Sequence, residues 1–274
     1  MYSLLRNKAQ QLCFADDQMK QVTLKTFKNK SRLVKYVERD VFTCIELNIP
    51  NKGNWMKRVC AYAETVMGDL NRGQANTSKQ RSASTVEIDN LSGLIAEHAC
   101  DTILRWQFGD ENIIKPRSDN SFNQIDIELI TGKTIEVRSS CVRNGIEFAL
   151  FAKDTADSRQ QYFDVIGPYS NSYKPGEQLK DYYMRVLYAC DKKNFMELFE
   201  RPVLQLFITG GATKAMMQDT DVYQNKHLVP AGGQVRVESD YRVVPLGKSL
   251  DAPEFLHVLA RENGFVSLHD LSRL

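Results

Sequence analysis

The sequence predicts an α/β fold, with a mixed sheet of about five strands flanked by helices and a mainly helical N-terminal region ahead of it. Three observations carry that expectation. Residues 123–141 alternate apolar and polar side chains on both sides of Thr131-Gly132-Lys133, as a β-hairpin with a glycine-containing turn does. Ahead of it, residues 89–108 repeat Leu91, Leu94, Ile95, Ala99, Ile103 and Trp106 at helical spacing. Beyond it, residues 146–152 and 162–167 are short apolar runs that read as a third and a fourth strand.

From the N-terminus, residues 1–40 are basic, with Lys25, Lys28, Lys30, Arg32 and Lys35 interleaved with Phe27 and Tyr36. Such a cluster suits either a phosphate backbone or a solvated helix face. Residues 41–49 read as a strand or a buried helical turn, and residues 55–70 as an amphipathic helix. Residues 71–84 are polar and contain Gly73, which marks a linker. A boundary is expected there, between a region at 1–84 and a core at 85–274. Arg72, Lys79 and Arg81 make the linker basic, as an exposed loop or as a contact to nucleic acid.

Glu97 falls near the middle of the 89–108 helix, which Gly109 ends, and 118–121 is a turn cluster. The loop 167–177 is rich in turn formers and carries Tyr169, Tyr173 and Lys174, residue types that suit phosphates, bases or any protein surface. Residues 179–190 and 194–199 look helical, 202–209 is an apolar strand, and 232–246 looks like a second hairpin carrying Arg236 and Arg242. Residues 252–260 and 267–274 read as short helices. Gly210-Gly211 invites a phosphate-loop reading, but no Gly-x-x-x-x-Gly-Lys-Ser/Thr surrounds it.

Composition narrows the function classes. The chain has 274 residues, enough for one large domain or two small ones with a real core. No run approaches the roughly 18 apolar residues of a membrane span. The first eight residues lack the apolar stretch of a signal peptide, and a cytoplasmic protein is expected. Cys13, Cys44, Cys60, Cys100, Cys141 and Cys190 are scattered without a Cys-x-x-Cys pair, which argues for reduced thiols over a zinc site or a disulfide frame. The four histidines are equally dispersed. A formal net charge of +2 neither demands nor excludes nucleic acid.

The chemistry is concentrated in the hairpin. Ile125, Ile127 and Leu129 share one face of its first strand, and Asp126 and Glu128 the other. On the second strand Ile135 and Val137 oppose Glu136 and Arg138. Pairing across the turn then sets Asp126 beside Glu136, with Arg138 next in the row. Two carboxylates on rigid strands beside a cation suit a divalent metal and steady developing negative charge. Plain alternation on a solvated face is the competing reading.

Asp126, a hairpin turn and then Glu136-Val137-Arg138 resemble the signature of the PD-(D/E)XK nuclease superfamily, to which many restriction endonucleases belong. That signature is an Asp opening one strand, then Glu or Asp, any residue and Lys on the next. The resemblance covers about residues 88–167, with helix, hairpin, strand and strand in the superfamily's order. Ile125 stands where the signature has Pro, and Arg138 where it has Lys.

The resemblance implies a restriction-endonuclease-like core with a C-terminal α/β elaboration. It implies Mg²⁺ or Mn²⁺ held by Asp126, Glu136 and the backbone carbonyl of Val137, with Glu97 reaching the metal site from the preceding helix. The implied activity is metal-dependent endonucleolytic hydrolysis of DNA, of restriction or phage-defence type, with Asp126, Glu136 and Arg138 as the catalytic set. Arg138 can bind two phosphate oxygens but does not readily lose a proton. DNA contacts are expected from Arg72, Lys79, Arg81, Tyr173 and Lys174. A homodimer would match a symmetric duplex site. The alternatives are a nuclease-fold DNA-binding module that cuts poorly or not at all, and an unrelated α/β interaction protein.

Overall fold

A computed structural model describes residues 22–29, 39–66, 73–74, 77–80, 82–114, 125–151, 163–170, 177–227 and 240–270. In chain order the strands are β1 (Val22–Lys28), β2 (Val41–Pro50), β3 (Gly73–Gln74), β4 (Thr77–Gln80), β5 (Ile113–Ile114), β6 (Ile127–Leu129), β7 (Thr134–Cys141), β8 (Val165–Ser170), β9 (Tyr182–Tyr188), β10 (Val203–Thr213), β11 (Gln224–His227) and β12 (Asp240–Val244). The α-helices are α1 (Asn54–Val66), α2 (Ala83–Phe108), α3 (Ile146–Phe151) and α4 (Ala252–Asn263).

The fold is α/β. Seven strands form a mixed sheet in the order β1-β2-β10-β9-β7-β6-β5. Every neighbouring pair in it is antiparallel except β7 and β9, which run parallel from Ile135↔Tyr182 to Cys141↔Tyr188. A smaller antiparallel sheet, β11-β12-β8, packs beside it, with Val165 and Val244 in one cluster with Tyr183 and Phe207, and β3 and β4 pair with each other.

Residues before and after position 84 share one core. Leu47 and Ile49 of β2 and Trp55 and Val59 of α1 pack with Ile95, Ala99 and Ile103 of α2. The stretch expected to be mainly helical thus contributes two sheet strands, β1 and β2. The other face of the sheet holds a second cluster, with Phe42, Val142, Leu150, Tyr183, Leu187 and Phe207 among its members. Among the described residues no helix is long and apolar enough to cross a membrane.

Helix α2 follows from its sequence. The Ser82 hydroxyl accepts from Thr85 N at 3.2 Å to cap its start, and the Gly109 N–H donates to Arg105 O at its end. Its apolar stripe lies on β7. The hairpin β6–β7 also forms as expected. Its turn closes with Gly132 N–H donating to Leu129 O at 2.8 Å, and Gly132 takes a φ of +81°, which a residue without Cβ adopts at no steric cost.

Three expectations differ from the structure. Residues 146–151 are the helix α3, where a strand was expected. Ile146, Ala149 and Leu150 are buried while Phe148 is 39% exposed, so burial follows i, i+3, i+4 and not i, i+2. Residues 182–188, expected to be helical, are β9, whose seven residues are all buried. A strand covered on both faces shows no alternation, and Tyr-Tyr-Met-Arg-Val-Leu-Tyr offers a periodicity argument nothing to grip. Residues 267–270 are not helical, and 271–274 lie outside the described residues.

The elements expected at 55–70, 41–49, 202–209 and 252–260 form with shifted bounds as α1, β2, β10 and α4. The expected linker at 71–84 carries β3 and β4, while the turn cluster at 118–121 and residues 232–239 of the second expected hairpin lie outside the described residues. The expected fourth strand appears as β8 but joins the small sheet. Gly210 and Gly211 sit within β10, where the chain passes Leu250 and Asp251. A Cβ on Gly210 would lie 2.3 Å from Leu250 O, and one on Gly211 1.9 Å from Tyr183 O. Close backbone approach accounts for this glycine pair, and no phosphate loop is involved.

Candidate metal and phosphate site

Hydrogen bonds of the β6–β7 ladder join Leu129 N to Lys133 O, and in an antiparallel ladder they recur every second residue. The next such pairs would be Ile127 with Ile135 and Ile125 with Val137. The ladder stops at the first of these. The Val137 N–H donates instead to Asp126 Oδ2, at 2.7 Å. An Asp side chain has replaced a strand carbonyl, so the two strands part where a carboxylate stands between them.

Glu136, next along β7, lies across from Asp126 and is 8% exposed. Its Oε1 is 2.8 Å from Arg138 Nη2, and the same nitrogen is 3.1 Å from Glu177 Oε1. Arg138, with its side chain 32% exposed, is therefore shared between two carboxylates. The parallel partner strand completes the surroundings. Tyr183 stands opposite Glu136, and Arg185 opposite Arg138. Arg185 is fully buried and donates to Ser140 Oγ at 2.6 Å and to Phe163 O at 3.2 Å.

Burial dominates the electrostatics. Asp126 is pushed up to about 7, by desolvation first and then by the charge of Glu97; the Val137 N–H, Arg138 and Lys180 oppose the rise. Glu136 is pushed up to about 8. Desolvation is again the largest cause, and Asp126 and Glu177 add to it against the pull of Arg138 and Lys180. Arg138 cannot hold Glu136 at an ordinary carboxylate value because it is shared with Glu177 and because burial outweighs one ionic contact.

The structure brings together Asp126, Glu136, Val137 and Arg138, and Glu97 is close enough on α2 to raise the Asp126 pKa. It adds Glu177, Lys180 and Tyr183, which the sequence reading did not connect to the hairpin. Tyr183 Oη accepts from the Lys180 N–H at 2.8 Å, and Lys180 is 7% exposed. These three are brought in beside the parallel β7–β9 pairing; Glu177, for one, lies 39 residues downstream of Arg138. The dense run Glu177-Gln-Leu-Lys-Asp-Tyr-Tyr, charged residues leading into aromatic ones, was the available signal.

Arg72, Arg81, Tyr173, Lys174, Lys153 and Arg236 lie outside the described residues, and Lys79 is on β4. Arg242, on β12, is engaged within the protein. Its guanidinium stacks 4.4 Å from the Tyr223 ring and donates to Met217 O at 3.0 Å.

Among the described residues no three His, Cys, Asp or Glu side chains converge as a ready-made metal cage. The donor set nonetheless fits Mg²⁺ or Mn²⁺. It offers hard oxygen ligands from Asp126, Glu136 and the Val137 carbonyl, the donor type these ions take. Mg²⁺ commonly takes only one or two protein carboxylates and fills its remaining positions with water and substrate oxygens.

No family model matches the chain, and no solved structure matches it. An uncharacterized protein of Methanocaldococcus jannaschii is 25% identical over 174 residues, covering 58% of this chain. The chain likewise spans 58% of that relative's length.

Proposed function

We propose that this protein is a divalent-metal-dependent endonuclease of the PD-(D/E)XK type, hydrolysing phosphodiester bonds in DNA. The observation that carries the reading is the Asp126 carboxylate seated on the Val137 N–H, across from Glu136, where the hairpin strands part. An Asp at the head of one strand and a buried Glu on the next here stand across from each other, with Arg138 on the Glu, an arrangement that a solvated hairpin face does not need.

In the reaction a water oxygen bonds to phosphorus and the bond from phosphorus to the leaving sugar oxygen breaks. The proton from water reaches that oxygen through solvent. Bound Mg²⁺ or Mn²⁺ would polarise the phosphate and lower the pKa of the attacking water. Asp126 and Glu136 supply its carboxylate ligands, and the Val137 N–H fixes the rotamer of Asp126. Arg138 keeps Glu136 oriented and, released from Glu177, can meet a phosphate oxygen with two donors. The proposal extends to a restriction or phage-defence role and a homodimer on duplex DNA.

A second reading has one specific observation in its favour. Arg138 is clamped by both Glu136 and Glu177, as suits a nuclease-fold module that binds DNA without cutting it. Cleavage by wild type and Arg138→Lys separates the two. Metal-dependent cutting by wild type supports the enzyme; cutting gained only in Arg138→Lys supports the binding module. Both require DNA retention that weakens as salt rises, through counterion release. Salt-insensitive retention or none would remove both.

A further inference from the structure

Cys141 closes β7, and Cys190 stands just past the end of β9, at the same end of the parallel pair. Cys141 is in register with Tyr188, the last residue of β9. The Tyr188 carbonyl accepts two N–H groups, from Val142 at 2.7 Å and from Cys190 at 2.9 Å. One oxygen thus ties the residue after Cys141 to Cys190 itself, and the turn at Cys190 stays against β7. The two thiols share a hydrogen bond, and both side chains pack on the same core. Both are free thiols, and neither is sealed: Cys190 is 9% exposed and Cys141 is partly exposed, whereas Cys44 and Cys100 are fully buried.

From this placement we infer that Cys141 and Cys190 form a reversible oxidation site, a dithiol that a low-molecular-weight disulfide converts into an intramolecular disulfide. Thiols that meet across neighbouring strand ends satisfy the first requirement of such a bond, side chains that point at each other. Among the described residues no third His, Cys, Asp or Glu joins them as a zinc set would need, so thiol–disulfide exchange is the chemistry the pair itself supports. The bond would close the loop 141–190 and fasten β7, the strand of Glu136 and Arg138, to β9 at their shared end. The inference stands independently of the nuclease reading.

The exchange runs in two steps. The hydrogen bond with Cys141 holds the Cys190 thiol below its ordinary value, so Cys190 supplies the attacking thiolate, its proton going to solvent. The Cys190 sulfur bonds to one sulfur of the reagent, whose S–S bond breaks; the other sulfur leaves with the electron pair and takes up a proton. Cys141, deprotonated in turn, attacks the Cys190 sulfur of the mixed disulfide and expels the second half of the reagent as a thiol. The two cysteines lose two electrons and two protons, and the reagent gains them as two thiols.

The test incubates the folded full chain with reduced and oxidised glutathione in varied ratio, traps the remaining thiols by alkylation and maps unreduced peptides by mass spectrometry. The expected product is a Cys141–Cys190 cross-linked peptide that dithiothreitol reverses. The oxidised protein should unfold roughly 5–10 °C higher, because the bond restricts the unfolded chain. Cys141→Ser should stop at glutathione held on Cys190; should it fail to fold, Cys141→Ala takes its place. No cross-link in the native protein, one that forms only in urea, or one that pairs either cysteine with a different partner overturns the inference. So does an unfolding temperature that the bond leaves unchanged, since a built site accepts the bond without distortion.

Discussion

Arg138 Nη2 lies 2.8 Å from Glu136 Oε1 and 3.1 Å from Glu177 Oε1, so one nitrogen joins two alternate positions of β7 to the segment ahead of β9. Replacing the guanidinium with an uncharged side chain leaves two poorly exposed carboxylates facing each other. Arg138→Met is therefore expected to destabilise the metal-free protein by about 2–4 kcal/mol, since removing one partner strands the other charges. Urea unfolding measures this, and added Mg²⁺ should restore part of the loss.

Stability should fall as pH rises through the neutral range. Unfolded, Asp126 and Glu136 titrate near their ordinary values of 3.8 and 4.5; folded, they titrate near 7 and 8. Between those limits the native state binds more protons than the unfolded chain, so the contribution is fully present below about pH 4 and lost by about pH 8. Asp126→Asn removes one such group while keeping an acceptor for Val137 N–H. Its melting temperature relative to wild type should climb between pH 5 and 8, by roughly 2–4 °C for each kcal/mol recovered. A difference independent of pH would contradict the account.

Metal binding should run the opposite way. Carboxylates must shed their protons to become ligands, so stabilisation by Mn²⁺ should grow from pH 6 to pH 8, and binding should release protons to the buffer. Calorimetry in buffers of different ionisation enthalpy reads that release directly. Asp126→Asn and Glu136→Gln should each weaken Mn²⁺ binding by at least tenfold, on the scale of losing one charged ligand.

The glycine pair of β10 gives a prediction about the fold alone. Gly210 has a φ of +105° and has Leu250 O where a Cβ would go. Gly210→Ala should cost upwards of about 3 kcal/mol, because neither the backbone angle nor the neighbouring main chain can give way. Gly93→Ala on α2 is the control. Nothing lies within 4 Å of a Cβ there, and a helical Ala should stabilise by up to about 1 kcal/mol.

The hairpin and helix α2 were legible because each buries one face, and one-sided burial leaves a period of two or of 3.6 in the sequence. Asp126 and Glu136 were legible for the same reason. Strand β9 was not, because burial on both faces erases the period. Misreading β9 as a helix hid the parallel partner of β7, and with it Glu177, Lys180 and Tyr183. Those residues reach the hairpin by sheet order, which local sequence does not encode. Helix α3 reads as a strand for a simpler reason: six apolar-rich residues satisfy both periods, and only the exposure of Phe148 decides between them.

Cleavage of supercoiled plasmid in Mg²⁺ by wild type and Asp126→Asn tests the central claim most directly. Wild type should convert the plasmid to nicked and linear forms, and Asp126→Asn, folded and still retained on DNA, should be slower by ~100-fold or more. Equal cutting by both proteins, or none by wild type with either Mg²⁺ or Mn²⁺, would contradict it.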